Sequence, residues 1–102
     1  MLTRLELHEE LCNILGSRNV YFQPPATITL HYPAIVYSIN NLDNHQADNE
    51  IYNQNIQYTI TVIDEDPDSE VFHRMKLYRR ARFVRPYVAD NLNHYVFTIY
   101  DI

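Results

Sequence analysis

Residues 56–78 read IQYTITVIDEDPDSEVFHRMKLY, and this stretch decides the fold class. Ile56, Tyr58, Ile60 and Val62 alternate with Gln57, Thr59 and Thr61, the period of two that puts the apolar side chains of a half-buried strand on one face. Asp66 followed by Pro67 then predicts a helix start, because the carboxylate can cap free amides and proline suits the first helical position, where no donor is needed. That helix is expected to reach about Tyr78. Its acids (Asp66, Asp68, Glu70) lie toward the positive end of the helix dipole and Arg74 and Lys76 toward the negative end, so part of the local charge pattern has a purely structural explanation.

Working outward toward the N-terminus, residues 40–55 are rich in Asn, Asp and Gln, with only Leu42, Ala47, Ile51 and Tyr52 apolar, and read as a long excursion of the kind that often carries function. Before it, Tyr32 to Ile39 reads as a strand, with Pro33 tolerated near its start and Ile28 and Leu30 as an extension. Val20 to Gln23 reads as a short strand stopped by Pro24 and Pro25, which cannot donate to a ladder. Thr3 and Glu6 form a capping box, Leu2 and Leu7 a hydrophobic staple, and Leu7, Leu11, Ile14 and Leu15 an apolar stripe that Gly16 terminates: a first helix from about residue 4.

Toward the C-terminus, a strand from Ala81 to Val88, a turn at Asp90 to Asn93 and a strand from Tyr95 to Tyr100 make a hairpin, with Phe83, Val96 and Phe97 available to the core. The order helix, two strands, loop, strand, helix, hairpin predicts one α+β domain over residues 1–102. Its sheet is mainly antiparallel, of about four to five strands, with the two helices packed on one face.

Composition removes several function classes. Gly16 is the sole glycine, so phosphate-cradling loops, dinucleotide-binding turns and the nucleophile elbow cannot be built. Cys12 is the sole cysteine, which excludes an internal disulfide and any zinc site needing two thiolates, and points to synthesis in a reducing cytoplasm. No apolar run approaches the roughly 18 residues needed to span a bilayer, and the N-terminal segment lacks the pattern of a secretory signal.

Asp64, Asp66 and Asp68 have the spacing of a calcium loop, but Ser69 replaces its glycine and Met75 its bidentate glutamate. No acid, spacer and lysine run follows Pro67 and Asp68 to complete a nuclease motif. The five histidines show no metal-ligand spacing, and Ser17, Ser38 and Ser69 have no activating context. The expectation is a non-enzyme with no cofactor and no metal.

The net charge of −5 argues against a surface that as a whole seeks nucleic acid. Its distribution is polar, however: Arg74, Lys76, Arg79, Arg80, Arg82 and Arg85 follow directly on Asp64, Glu65, Asp66, Asp68 and Glu70. Arg79, Arg80, Arg82 and Arg85 are interleaved with Tyr78, Phe83 and Tyr87, the composition of a protein interface or a nucleic-acid surface, and nine tyrosines favour protein contacts. The acidic stretch could receive a neighbour's arginines, and a head-to-tail contact of that kind closes into a ring when the rotation allows.

Four segments, Asn19 to Pro25 (NVYFQPP), Tyr32 to Tyr37 (YPAIVY), Tyr58 to Ser69 (YTITVIDEDPDS) and Arg85 to Tyr100 (RPYVADNLNHYVFTIY), together with the leading helix, resemble the tail-terminator or tail-completion proteins of long-tailed bacteriophages. The resemblance implies a structural protein that forms a ring, usually of six subunits, at the head-proximal end of the tail tube, stopping tube growth and offering a head-joining surface. Its implied partners are further copies of itself, the tail-tube protein and a head-completion or connector protein, with nucleic acid present only as DNA passing through the ring. The implied location is the virion neck or tail, after assembly in the host cytoplasm. It places subunit or tube contacts on Asp48, Asn49 and Tyr52 in the long loop and on Arg79, Arg80, Arg82 and Arg85. The alternatives are a head-closure or adaptor ring of the same neck region and a small nucleic-acid-binding module using residues 74–85, with a metal-dependent nuclease more distant.

Overall fold

Helix α1 (Arg4–Leu15) starts at the expected capping box: the Thr3 hydroxyl accepts from the Glu6 amide at 3.1 Å, and the Glu6 carboxylate accepts from the Thr3 amide at 2.9 Å. It ends at Gly16, whose φ of 88° lies in the left-handed region and whose amide donates to the Cys12 carbonyl at 2.8 Å. Leu7, Leu11, Cys12 and Leu15 are buried, and Ile14 packs at the edge of the same cluster. Burial pushes the Cys12 thiol above its ordinary pKa, which leaves it a small apolar side chain. The computed structural model describes residues 3–40 and 57–100.

Helix α2 (Glu70–Lys76) is shorter than the sequence reading and starts later. Its cap is Ser69, a buried hydroxyl that accepts from the Phe72 amide at 3.1 Å. Asp66 is engaged elsewhere: the carboxylates of Asp64 and Asp66 each accept from the amide two residues on, at 3.0 and 2.9 Å, forming two successive side-chain turns ahead of the helix. The Asp64, Asp66, Asp68 spacing thus serves backbone geometry.

Arg74 serves its own helix through an ion pair with Glu70, Nη1 to Oε1 at 3.4 Å, and it also reaches across to α1. Its Nε donates to the Ile14 carbonyl at 2.6 Å and an Nη to the Leu15 carbonyl at 3.2 Å, so α2 supplies the cation that the last turn of α1 lacks. Arg74→Ala is expected to lower stability by about 1–2 kcal/mol, the low end for charge-assisted bonds because the group is partly solvated. The urea midpoint measures this, and Arg74→Lys, with no planar fork, should restore only part of it.

The sheet has the order β1-β2-β3-β5-β4. Strand β1 (Val20–Phe22) runs parallel to β2 (Ala34–Asn40), and β2, β3 (Gln57–Asp64), β5 (Leu92–Tyr100) and β4 (Arg82–Ala89) pair antiparallel in turn. With two helices and a five-stranded, mostly antiparallel mixed sheet, the architecture is α+β. Ile28 and Leu30 do not extend β2 and lie in the β1–β2 connection. Gln23 finishes β1 at a φ of 44°: its amide donates to the Tyr37 carbonyl at 2.9 Å and its side-chain oxygen accepts from the Ile39 amide at 3.1 Å, just before the two prolines stop the edge. Asp90 and Asn91, with φ of 54° and 62°, form the two-residue turn that joins β4 to β5, so β5 begins at Leu92, earlier than the reading.

The registers separate two faces. Ile35 and Tyr37 on β2, Tyr58, Ile60 and Val62 on β3, and Tyr95, Phe97 and Ile99 on β5 share the face that meets the helices and, with Val20, Val71 and Met75, build the core. The alternation read at Tyr58, Ile60 and Val62 is this face. Phe72 stacks on Tyr95 with ring centroids 4.0 Å apart and reaches Phe83 at 5.3 Å, fastening α2 to the hairpin. The other face carries Val36, Ser38, Thr59, Thr61, Ile63, His94, Val96 and Thr98, so Val96 lies opposite the helical layer and is no part of the core cluster.

Candidate functional site

Strand β4 is where this architecture runs out of cover. Helix α1 lies over β1 and β2, and α2 over β3, while every residue of β4 from Arg82 to Val88 is exposed. Four of its eight residues are large exposed hydrophobics: Phe83 (39%), Val84 (49%), Tyr87 (39%) and Val88 (68%). As the outermost strand it also has one unpaired edge.

That edge is interrupted. The register slips between Phe83 and Arg85, so Val84 sits in a bulge, and Pro86 offers no N–H. Bulge, proline and arginine are the devices that keep an edge strand from adding strands without limit. What β4 offers a partner is side chains more than backbone.

The registers place Arg82, Arg85 and Tyr87 on the sheet face away from the helices, beside Thr98, Val96 and His94. Arg85 stacks over the Tyr87 ring at 5.0 Å, and Tyr87 stacks on His94 at 4.5 Å with planes 14° apart. The His94 Nδ1 is 3.1 Å from the Leu92 carbonyl, which favours a proton on that nitrogen and fixes the ring. The result is an ordered tier of guanidinium, phenol and imidazole along the strand margin.

Of the arginines singled out in the sequence, Arg82 and Arg85 are on this strand, and Arg79 and Arg80 are in the preceding turn. Arg80 is tied down locally: its Nε is 3.7 Å from Glu10, which also accepts a hydrogen bond from the Tyr78 hydroxyl. Burial, then the bond to Glu10, holds the Tyr78 phenol protonated far above its ordinary value. Among the described residues, Arg79, Arg82 and Arg85 have no carboxylate partner, and the exposed Glu65, Asp66, Asp68 and Asp90 have no cationic one. Asp48, Asn49 and Tyr52 lie outside the described residues.

No protein-family model, curated protein or solved structure matches the chain. Among the described residues no group of three His, Cys, Asp or Glu side chains converges as a metal site.

A second polar constellation among the described residues is His8, Tyr37 and Arg4. The buried Tyr37 hydroxyl lies 2.7 Å from His8 Nδ1 and accepts from Arg4 at 3.3 Å, while the Arg4 guanidinium covers the Phe22 ring at 4.4 Å. The phenol and the imidazole share one hydrogen bond, whose direction follows the His8 tautomer. Burial first, then Arg4 and Arg18, hold His8 below its ordinary value of 6.5, against a smaller opposing effect of Glu9. A depressed pKa means that the unfolded chain binds the proton more readily, so this contribution to stability is complete above pH 6.5 and is lost as pH falls toward the folded value. Wild-type chain should lose urea resistance as pH falls below 6.5, and His8→Gln should flatten that slope.

The sequence reading found the arginines but missed Val84 and Val88. A signal was available: in RFVRPYVA the apolar residues come in adjacent pairs, 83–84 and 87–88, which no strand with one buried face can satisfy.

Proposed function

We propose that this chain is a structural assembly protein of the bacteriophage neck, a tail terminator that closes into a ring on the head-proximal end of the tail tube. The observation that carries the reading is β4: a strand exposed along its edge and both faces, rich in valine, aromatic rings and arginine, on a domain whose edges are blunted against open-ended pairing. Such a strand fits a partner surface of defined extent. The polar charge distribution fits contacts between copies, because a chain whose described residues carry cations and anions in separate places, unpaired among themselves, complements itself head to tail.

In this reading the chain has no catalytic role, and its partners are its own copies, the tail-tube protein and a connector on the head side. Six copies, the number implied by the resemblance, are proposed for the ring. The test is tube growth. Purified chain added to polymerising tail-tube protein should arrest elongation and appear at one end of each tube by electron microscopy. Tubes that elongate unchanged while the chain binds a head connector would move it to the adaptor position in the neck.

A nucleic-acid module stands second, favoured by the Arg85, Tyr87 and His94 tier on the open sheet face. It predicts an affinity for DNA that falls steeply with salt, whereas the assembly reading predicts none.

A further inference from the structure

Resting on the ring reading, we propose that β4 is one half of the contact between neighbouring copies and that the acidic β3–α2 turn of the next copy is the other half. Arg82 and Arg85, with Tyr87 on the same face and the bulged Val84 between them in sequence, seat against Glu65 and Asp68 of a second copy of this chain.

Within one subunit the two halves lie at different levels of the sheet, Arg82 farthest from the acidic turn. Arg82 is paired with Thr98 on β5, whereas the acidic turn leaves β3 at Asp64, opposite Asn93. Five residues of β5 separate these levels, roughly 17 Å at about 3.4 Å per residue. Asp90 in the β4–β5 turn belongs to the same end as the acidic turn. The strand direction therefore runs from a cationic end to an anionic end, and among the described residues Arg82 and Arg85 at one end and Glu65, Asp66, Asp68 and Asp90 at the other lack ion-pair partners. A second copy shifted along this direction pairs both sets at once, which is a heterologous contact and closes into a ring or continues as a helix according to its rotation. The two-fold alternative, β4 laid antiparallel on β4, needs a continuous backbone ladder, and the bulge at Val84 and the missing donor of Pro86 interrupt it.

Val84 and Tyr87 supply the desolvated centre and the charges the rim, the division common to specific interfaces. The same charges set register, since like charges brought together oppose a slipped seating.

The experiment is a charge exchange read by native mass spectrometry. The wild-type chain comes first: if it never forms a ring, alone or with tail-tube protein, the ring reading fails and this contact fails with it. Given a wild-type ring, Arg82→Glu/Arg85→Glu and Glu65→Lys/Asp68→Lys, all at exposed positions, should each lose it by at least about tenfold in population. Their folded state is checked by circular dichroism. Mixed in equal amounts, the two variants should recover a ring in which they alternate, because each then meets only its complement. A wild-type-like ring from Arg82→Glu/Arg85→Glu alone would overturn the contact and leave the ring reading standing. Loss in both variants without recovery on mixing would also overturn it, as would a mixture that stops at two-fold dimers.

Discussion

Phe97→Ala is expected to remove about 3–5 kcal/mol of folding stability, a large share of the roughly 5–15 kcal/mol that holds a domain of this size together. Phe97 is 1% exposed and lies where three elements meet. It faces Ile60 across β3 and Phe83 across β4, and its ring is 5.2 Å from Phe83 and 6.1 Å from Phe72 on α2. Truncation leaves a cavity that β3 and β5, central in the sheet, cannot close by moving. The urea midpoint should fall accordingly, and near-ultraviolet circular dichroism should show loosened aromatic packing around Phe72, Phe83 and Tyr95. A loss under about 1 kcal/mol would mean that the hairpin and α2 are not joined through this ring.

Leu11→Ala should cost about 2–5 kcal/mol, whereas Leu5→Ala on the same helix should stay within about 0.5 kcal/mol. Leu11 is fully buried and Leu5 is 67% exposed, though both are leucines of α1. The pair separates burial from helix propensity, since the substitution changes propensity almost equally at both positions. Equal losses at Leu5 and Leu11 would place a partner surface over Leu5 or overturn the orientation of α1.

The parts of the fold that could be read from the sequence are those determined within a few residues. Thr3, Glu6 and Gly16 bracket α1 through contacts three or four positions apart, and the alternation from Tyr58 to Val62 reports a strand whose two faces differ. The misreadings have equally definite causes. Asp66 looked like the cap of α2 because aspartate and serine can both accept from free amides, and the competition between Asp66 and Ser69 is settled by burial of the serine. Besides its local pair with Glu70, Arg74 donates to carbonyls 59 and 60 residues away, and no local pattern encodes that. The parallel pairing of β1 with β2 is likewise a matter of tertiary register.

The candidate site was legible in composition and not in shape. Clustered arginines and aromatic residues marked the neighbourhood of residues 79–87, but that β4 extends past the helical layer depends on where α1 and α2 come to rest. The same dependence hid Val96, which its hydrophobicity assigns to a core that the register denies it.

The central claim is that this chain acts by closing on copies of itself. Native mass spectrometry over a wide concentration range, with and without tail-tube protein, tests it most directly. A ring of six 12.2 kDa chains, a species of about 73 kDa, is the predicted result. A 12.2 kDa monomer at every concentration, in the presence of tail-tube protein as well as alone, would contradict it.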